Sequence, residues 1–571
     1  MKHTTVFKYF EPDKNIVGRL SQGLNCSPIL ATLLTARGIT DVKKARHFLH
    51  PTLENLTDPF LLKDMDKAVE RIFTAVENKE KILVFGDFDA DGVTSTALIY
   101  EFFEHCGANV SWYIPHRIKE GYSLAPDHIH QAADQDIDLI ITVDCGITSH
   151  AAIELARKED IDVIITDHHE PQTDLPDAVA VINPKRKDCH ADLSYLAGVG
   201  VAFFLVMALR KYFREHHFWE NLKEPNLMHC LDLFTIGTIG DMVPLIHDNR
   251  RLCIAGFDTL RKGLRPGVKA LAQSARTDIA KLDSDDISFK IVPRINAAGR
   301  ISHARICVSQ LTAADSLQAQ NTAAILDQLN SKRQIIEQEI VSDIENRIFK
   351  DPTLLDHRLL FLWDDKWNPS VLGIAASKLT RKYHFPVILL STAAEDAIGS
   401  GRSVNGINIH TALKENMSIL ERFGGHAMAA GLTIKKKNLP LLHKNLEHHI
   451  QTVYSEKDFQ KTLPIDAVLN FEDISFELAQ DIDRLRPFGT DNPEPVFISQ
   501  NIHVAASHII GLNHRKMILE QAKNSLGNKI EAFHFNVDNI DDLPDFYPEI
   551  VFRLKINKFK ADAIQIIIEN P

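Results

Sequence analysis

The chain has 571 residues, 44% hydrophobic and 25% charged, which is ordinary globular chemistry and enough length for about four domains at ~150 residues each. A formal net charge of −12 excludes a generally basic coat, so a polyanionic partner would have to be drawn in by local clusters and metal ions. Seven scattered cysteines, odd in number and never spaced Cys-x-x-Cys, exclude a disulfide framework and a thiolate zinc site and fit a reducing cytoplasm.

The first fourteen residues lack the apolar core of a signal peptide. Ser27 and Pro28 read as the N-cap and first position of a helix that stops at Gly38. From Lys81 onward, apolar runs at 82–85, 110–114, 139–143, 163–166 and 178–182 alternate with helical segments, a rhythm that predicts βαβ units and a mainly parallel sheet. An uncharged run at 193–209 approaches the length of a membrane span. Its Ser194, Gly198 and Gly200, with Arg210 and Lys211 directly after it, favour a buried helix instead.

The runs end in a recurring way. Ile82 to Phe85 lead into Asp87, Asp89, Asp91 and Gly92, and a helical segment follows. Three carboxylates in five residues repel one another unless a cation neutralises them. A calcium-binding EF-hand loop is disfavoured because its twelfth position, counted from Asp87, is Leu98 and the preceding segment reads as a strand. A phosphate-cradling P-loop is disfavoured because no Lys-Ser/Thr pair follows Gly92. The next runs stop at Asp144-Cys145-Gly146 and at Asp167-His168-His169, and Asp241 follows a helical stretch. Asp89, Asp91, Asp144, His168, His169 and Asp241 form a mixed carboxylate and imidazole set suited to Mn2+ or Mg2+. Ions held in this way lower the pKa of water and clamp phosphoryl oxygens, which is phosphoester-hydrolysis chemistry.

Residues 289–300 (FKIVPRINAAGR) read as a Gly- and Arg-containing loop, with Arg294 and Arg300 as bidentate donors for phosphate. Residues 313–349 keep a helical apolar rhythm without Gly or Pro, predicting a helix roughly 50 Å long that connects two lobes. A second α/β unit follows, with strands at 359–363 and 387–390 around a helix at 371–381. It carries Gly399-Ser400-Gly401-Arg402-Ser403 and a Gly-Gly-His turn ending at His426, read as backbone and charge for an anion. Beyond 463, short alternating segments at 467–471, 496–497, 503–510, 516–520, 530–535, 550–554 and 563–568 predict a small barrel of the OB kind, a natural holder of single strands.

GDFDADG (86–92), the Asp144-Cys-Gly tip, Asp167-His168-His169 and Gly240-Asp241-Met-Val-Pro resemble the four motifs of the DHH phosphoesterase superfamily. PRINAAGR, LNSKRQIIEQE (329–339), GSGRS (399–403), FGGHAMAAG (423–431) and RPFGTDNPEPVF (486–497) are similar to the bacterial RecJ family of single-stranded-DNA exonucleases. The resemblance implies the following layout: an N-terminal segment (1–75) packed on the catalytic lobe, a DHH domain (76–300), a connecting helix (301–352), a DHHA1-like domain (353–455) and an OB-like domain (462–571). It implies that Asp91, Asp144, His168 and Asp241 hold one divalent ion, Mn2+ or Mg2+, and that Asp89 joins Asp144 at a second. His169 would assist and Asp87 would orient, with His426 as an active-site histidine of the second lobe. Arg117, Tyr122, Arg294, Asn296, Arg300, Ser400 and Arg402 would contact DNA or its 5′ phosphate. Smaller members of the superfamily carry His where this chain has Phe85. The implied activity is 5′→3′ hydrolysis of single-stranded DNA to mononucleotides in repair and recombination, by a cytoplasmic, monomeric enzyme. The implied partners are a single-strand-binding protein and a helicase, with no membrane association. The alternatives are a phosphatase or short-oligonucleotide nuclease of the same superfamily, or a non-catalytic single-strand-binding scaffold.

Overall fold

The five apolar runs of the first half form one parallel sheet. Its strands are β1 (Ile82–Gly86), β2 (Val110–Tyr113), β3 (Leu139–Val143), β4 (Asp162–Thr166) and β5 (Ala180–Ile182), in the spatial order β2-β1-β3-β4-β5. The order reverses between β1 and β3, so both strand tips open at the switch point where α/β sheets bind ligands. β3 is buried along its whole length, which accounts for its nearly continuous apolar sequence. The helices α1 (Ala90–His105), α2 (Gly198–Glu215) and α3 (Leu231–Gly240) complete the layer around these tips. In α2, the buried helix expected over 193–209 begins five residues later, at Gly198.

The computed structural model describes residues 5–356, 358–511, 513–521, 529–537, 543–557, 560 and 563–569, so the outer ends of the expected 1–75 and 462–571 spans lie outside the described residues. It divides into two units, Tyr9–Asp327 with Pro464–Pro571, and Met1–Lys8 with Gln328–Leu463. Among the described residues no helix is long and apolar enough to cross a membrane.

In the first unit, the N-terminal segment divides between two partners. Ser27 caps the helix Pro28–Ala36 through Leu30 N, as its sequence predicts. Its buried Leu30, Leu33 and Leu34 share one core with Phe497, Phe552 and Ile566 of the barrel rather than with the catalytic sheet. The reason is a run of amphipathic helices whose apolar stripe, Leu20 to Leu49, needs an apolar partner, and the barrel offers one. The rest of the segment meets the catalytic side: the Phe48 carbonyl accepts from Arg250, the Asn55 carbonyl accepts from Arg251, Thr57 N donates to Asp248, and in the helix Met65–Glu77 Phe73 meets Tyr212 and Phe213 edge-on.

A difference lies at 289–300. After α4 (His247–Lys262) and a π-helical turn at Ile287–Ile291, the expected loop is a helix, α5 (Val292–Ile301). Pro293 is tolerated in the first turn, and Ile291, Val292, Ile295 and Ala298 give the helix a buried side. Gly299 does not break the helix; a Cβ there would lie 2.8 Å from the Phe88 carbonyl oxygen, so glycine permits a close approach. The barrel closes from five strands: β11 (Phe497–Ile510), β12 (His514–Gln521), β13 (Ile530–His534), β14 (Phe546–Ile556) and β15 (Ile564–Ile568). β11 pairs with both β12 and β14, and β15 lies between β13 and β14. The segments read separately at 496–497 and 503–510 are one bulged strand, whereas the strand read at 467–471 ends at Val468.

In the second unit, strands β6 (Leu360–Asp364), β7 (Val387–Ser391), β8 (Asp396–Arg402), β9 (Leu420–His426) and β10 (Ala429–Lys435) pair in the order β9-β10-β8-β7-β6. Gly399 to Arg402 therefore lie on strand β8, and the segment read as a Gly-Gly-His turn is part of strand β9. The glycines serve packing: a Cβ on Gly399 would lie 2.8 Å from the Leu390 side chain. The predicted long helix is α6 (Ser316–Lys350), 35 residues, or about 50 Å.

Because the N-terminal helices and the barrel share a core, Leu33→Ala is expected to lower stability by about 2–5 kcal/mol. Hydrogen exchange should show protection falling together in 28–36 and in β11 and β14. Loss confined to 28–36 would contradict the shared core.

Candidate metal centre

Four strand or helix ends deliver the candidate residues. Asp89 caps α1, accepting from Asp91 N at 3.0 Å and Gly92 N at 3.2 Å, which turns Asp91 inward at the start of the helix. Asp91 is buried and accepts from Gly198 N at 2.6 Å and Val199 N at 2.7 Å, so the carboxylate also faces the positive end of α2. Asp144 extends the tip of β3 in a left-handed conformation, φ 61°, which Asp tolerates better than most residues. His168 follows β4, and Asp241 sits at the C-terminus of α3.

These side chains converge. His168 Nε2 lies 3.2 Å from Asp144 Oδ1, 3.6 Å from Asp241 Oδ2 and 3.7 Å from Asp91 Oδ2. Three overlapping groups have donor atoms within 4.8 Å of one another: Asp91, His168 and Asp241; Asp144, His168 and His169; and Asp87, Asp89 and Asp144. Burial, and then the charge on Asp89, pushes Asp91 up to about 7. Burial with Asp91 and Asp89 pushes Asp241 up to about 8, and Asp87 and Asp144 rise well above the carboxylate range for the same first cause. Burial, then the charge of His169, lowers His168 to about 3, so its ring is neutral and a competent ligand.

A divalent cation fits this donor set on the evidence of atoms left unpaired. Asp87 Oδ1, Asp144 Oδ1 and both ring nitrogens of His168 are buried without a hydrogen-bond partner. Carboxylate oxygens with one or two imidazoles suit Mn2+ or Mg2+.

The surrounding residues hold this arrangement. Asp167, to which the sequence assigned no role, accepts from His168 N, His169 N and His169 Nδ1 through Oδ1, at 2.7, 3.0 and 2.8 Å, and from Ile147 N through Oδ2. Burial opposes charge on His169, but the Asp167 hydrogen bond and its charge prevail and raise the ring to about 9. Tyr122 donates to the Asp144 carbonyl at 3.3 Å and lies 3.1 Å from His169 Nδ1. Gly198 also escaped notice, read only as an interruption of an apolar run. A Cβ there would lie 2.6 Å from Asp144 Oδ1, so only glycine lets the α2 N-terminus reach Asp91 beside Asp144.

The remaining candidates lie at varying distances from this centre. The Arg117 guanidinium stacks over Phe88 at 4.7 Å and experiences the charges of Asp87 and Asp89. Asn296 accepts from Ala90 N at 2.8 Å, pinning the acidic loop to α5. Arg294 is tied to Asp327 at 2.7 Å and to the Lys290 carbonyl, while Arg300 lies in the last turn of α5. Phe85 is buried between Tyr113 and His128. Ser400, Arg402 and His426 belong to the second unit. There Arg402 and His426 both pair with Ala429, one on each side, so they share one row of the sheet, and Arg402 Nη1 donates to Ser400 Oγ at 3.1 Å.

Fold and centre together define a phosphoesterase architecture of the DHH kind. The DHH family N-terminal domain matches residues 81–238, the DHHA1 domain 356–452 and the RecJ OB domain 465–570. The single-stranded-DNA-specific exonuclease RecJ of Bacillus subtilis (strain 168) is 36% identical over 554 residues, spanning 96% of this chain and 68% of the relative. Its namesake from Escherichia coli (strain K12) is 35% identical over 559 residues, 95% of each chain. The crystal structure of RecJ in complex with Mn2+ from Thermus thermophilus superposes with a TM-score of 0.83 at 25% identity, covering 100% of this chain and 80% of that one. The chain belongs to the RecJ family.

Two outcomes test the centre. Gly198→Ala should weaken Mn2+ binding about 10- to 100-fold in calorimetric titration, as loss of a ligand's supporting geometry does elsewhere. The second concerns pH. Asp91 and Asp241 titrate near 7 and 8 when folded, above the ordinary carboxylate value. Their contribution to stability is therefore fully present below about pH 4 and is lost as pH rises through 7 to 8. A cation replaces the departing protons, so the Mn2+-induced rise in melting temperature should be small at about pH 5.5 and largest at about pH 8.5. An increment independent of pH would contradict the assignment.

Proposed function

We propose that the protein is a metal-dependent exonuclease that hydrolyses single-stranded DNA from the 5′ end to mononucleotides, in DNA repair and recombination. The observation that carries this reading is the convergence of His168 Nε2 with the carboxylates of Asp91, Asp144 and Asp241 within 3.7 Å, all at the switch point of a parallel sheet. The RecJ relatives, which bear the name single-stranded-DNA-specific exonuclease over nearly the whole length of this chain, support the choice of substrate. The Mn2+ in the Thermus thermophilus RecJ structure supports the choice of Mn2+ or Mg2+.

Asp91, Asp144, His168 and Asp241 would hold one ion, and Asp89 with Asp144 a second, close to Asp87. A bound divalent ion would acidify water and neutralise charge on the phosphoryl oxygens. His169, kept charged by Asp167, has its Nδ1 engaged and so retains the Nε2–H as a donor to phosphate. Arg117 adds a guanidinium beside the acidic loop, held flat over Phe88, and would take the terminal phosphate bidentately. Tyr122, Arg294, Asn296 and Arg300 would contact or position the strand, Asn296 by fixing Ala90. Ser400, Arg402 and His426 are assigned as phosphate-gripping residues of the 353–455 domain, and the barrel at 462–571 as the holder of upstream nucleotides. In this reading residues 76–300 form the catalytic domain, 301–352 the connecting helix and 1–75 a segment divided between barrel and catalytic sheet. The enzyme works in the cytoplasm as a monomer, alongside a single-strand-binding protein and a helicase.

The test is digestion of long single strands labelled at either end, with Mn2+ present. Early release of the 5′ label as mononucleotide is expected, together with a loss of about 10³-fold or more in Asp144→Ala. Release from the 3′ end would overturn the polarity. Preference for dinucleotides or small phosphoesters would favour a short-substrate hydrolase, and tight binding without cleavage a scaffold.

A further inference from the structure

Asp91, Asp144 and His168 are buried, whereas the Asp241 side chain keeps 26% of its surface exposed. Asp241 N donates to the Gly237 carbonyl at 2.9 Å, which places the residue on the last turn of α3. The chain then leaves the helix through Met242, whose φ of 61° is left-handed, a conformation that a non-glycine residue keeps where its surroundings enforce it. The contacts that hold this turn come from far along the chain. Thr490 Oγ1 donates to the Met242 carbonyl at 2.6 Å, and Leu245 N donates to the Thr490 carbonyl at 2.8 Å. One residue thus ties both ends of the 242–245 turn.

The loop that carries Thr490 is itself fixed. Buried Asn492 donates through Nδ2 to the carbonyls of Leu485 and Pro487, both at 2.8 Å, and its Oδ1 accepts from Arg37 Nε at 2.8 Å. Its backbone exchanges two hydrogen bonds with Gly489, at 3.0 and 3.2 Å. Two residues further on, buried Glu494 pairs with Arg553 at 3.2 Å and with Lys555 at 3.3 Å, both on β14. Thr490 is therefore anchored to the barrel and to the end of the helix Pro28–Ala36, and it reaches the catalytic layer from outside. Oxygen ligands meet a small divalent ion at about 2.0–2.1 Å, so a carboxylate on a loosened turn is lost as a ligand after a small displacement. We propose that Thr490 is a positioning residue of the metal centre: its hydroxyl holds the turn after Asp241, keeping the Asp241 carboxylate beside His168, 3.6 Å away, where both can reach one ion. The proposal rests on the reading of Asp241 as a ligand. It also gives the 486–494 loop a task, that of fastening the barrel to the one ligand that lies on a helix end rather than in the buried group.

The experiment is calorimetric titration of the full chain with MnCl2, in the wild type, Thr490→Val, Thr490→Ser and Asp241→Ala, with the melting temperature of each taken in EDTA. Valine keeps the shape of threonine and removes the donor, while serine keeps the donor. Thr490→Val should bind Mn2+ about tenfold more weakly, as loss of a ligand's supporting hydrogen bond does elsewhere, and Thr490→Ser should restore wild-type affinity. Because Thr490 is exposed, the melting temperature in EDTA should change little in either variant. A lower melting temperature of Thr490→Val with unchanged Mn2+ affinity would make Thr490 a structural tie alone and overturn the proposal. Equal loss of affinity in the valine and serine variants would exclude the hydroxyl and overturn it too. Asp241→Ala separates the two ways of failing. If that variant binds Mn2+ as the wild type does, the ligand set falls and the proposal with it; if it binds weakly while Thr490→Val does not, the role of Thr490 alone is refuted. These titrations do not depend on whether the protein cleaves DNA.

Discussion

The structure is arranged around a repulsion. Asp87, Asp91 and Asp144 are buried together with the partly exposed Asp241 at their edge, and two unit charges about 4 Å apart at an effective dielectric of about 20 cost about 4 kcal/mol. All four carboxyls are pushed upward in consequence. A fold that places such groups at the ends of rigid strands has accepted a local penalty, and a hard cation removes it while leaving open positions for phosphate oxygens. The same reasoning explains why His168 is neutral: an imidazolium would be a partial substitute for the metal, and burial prevents it.

Holding the cluster requires supports that are themselves tightly specified. The N-terminus of α2 points two amides at Asp91, orienting both of its oxygens without introducing a side-chain cation that would compete with the metal. That approach brings the α2 backbone against Asp144, and glycine at 198 is the residue that allows it. Asp167 performs the corresponding task for the two histidines: three of its hydrogen bonds fix the 168–169 turn, and it keeps His169 protonated while burial and the charge of His169 keep His168 neutral. Asn296 reaches across from α5 to the acidic loop. The neighbouring histidines therefore hold different charge states, His168 through burial and His169 through Asp167.

The cluster of acids and histidines was legible because such residues at the carboxyl ends of apolar runs are a local pattern, and neighbouring strand tips in a parallel sheet lie side by side. The barrel was legible from its alternation. What the sequence concealed depends on tertiary partners. Gly198 looked like a blemish in an apolar helix because its reason for being small is Asp144, far away in the chain. Asp167 received no role, since nothing local says that its oxygens bind the 147, 168 and 169 amides and the His169 ring. Residues 293–300 suggested a loop because Pro and Gly are strong local breakers, yet one sits in a first turn and the other against the Phe88 carbonyl. The glycines near 399 and 424 gave no sign of lying in strands, where Gly399 and Gly425 allow close side-chain and backbone contact. The N-terminal helices carried no mark of which core they would join.

An overall charge of −12 is by itself ill suited to a polyanionic strand, and the structure shows how the field can be reversed locally. Around the acidic centre, Arg117 and a protonated His169 stand beside carboxylates whose charge a cation would cancel. In the second unit, Arg402 and His426 form a short row across β8, β10 and β9. With its cation absent, the centre presents a cluster of carboxyls to the phosphodiester it is proposed to cut. With the cation present, the same residues become an attractive site. Metal and DNA would then each favour binding of the other, by the reciprocity that governs any two ligands sharing a site. The acidic pocket on its own rejects the substrate, which ties recognition of the strand to possession of the ion that chemistry requires.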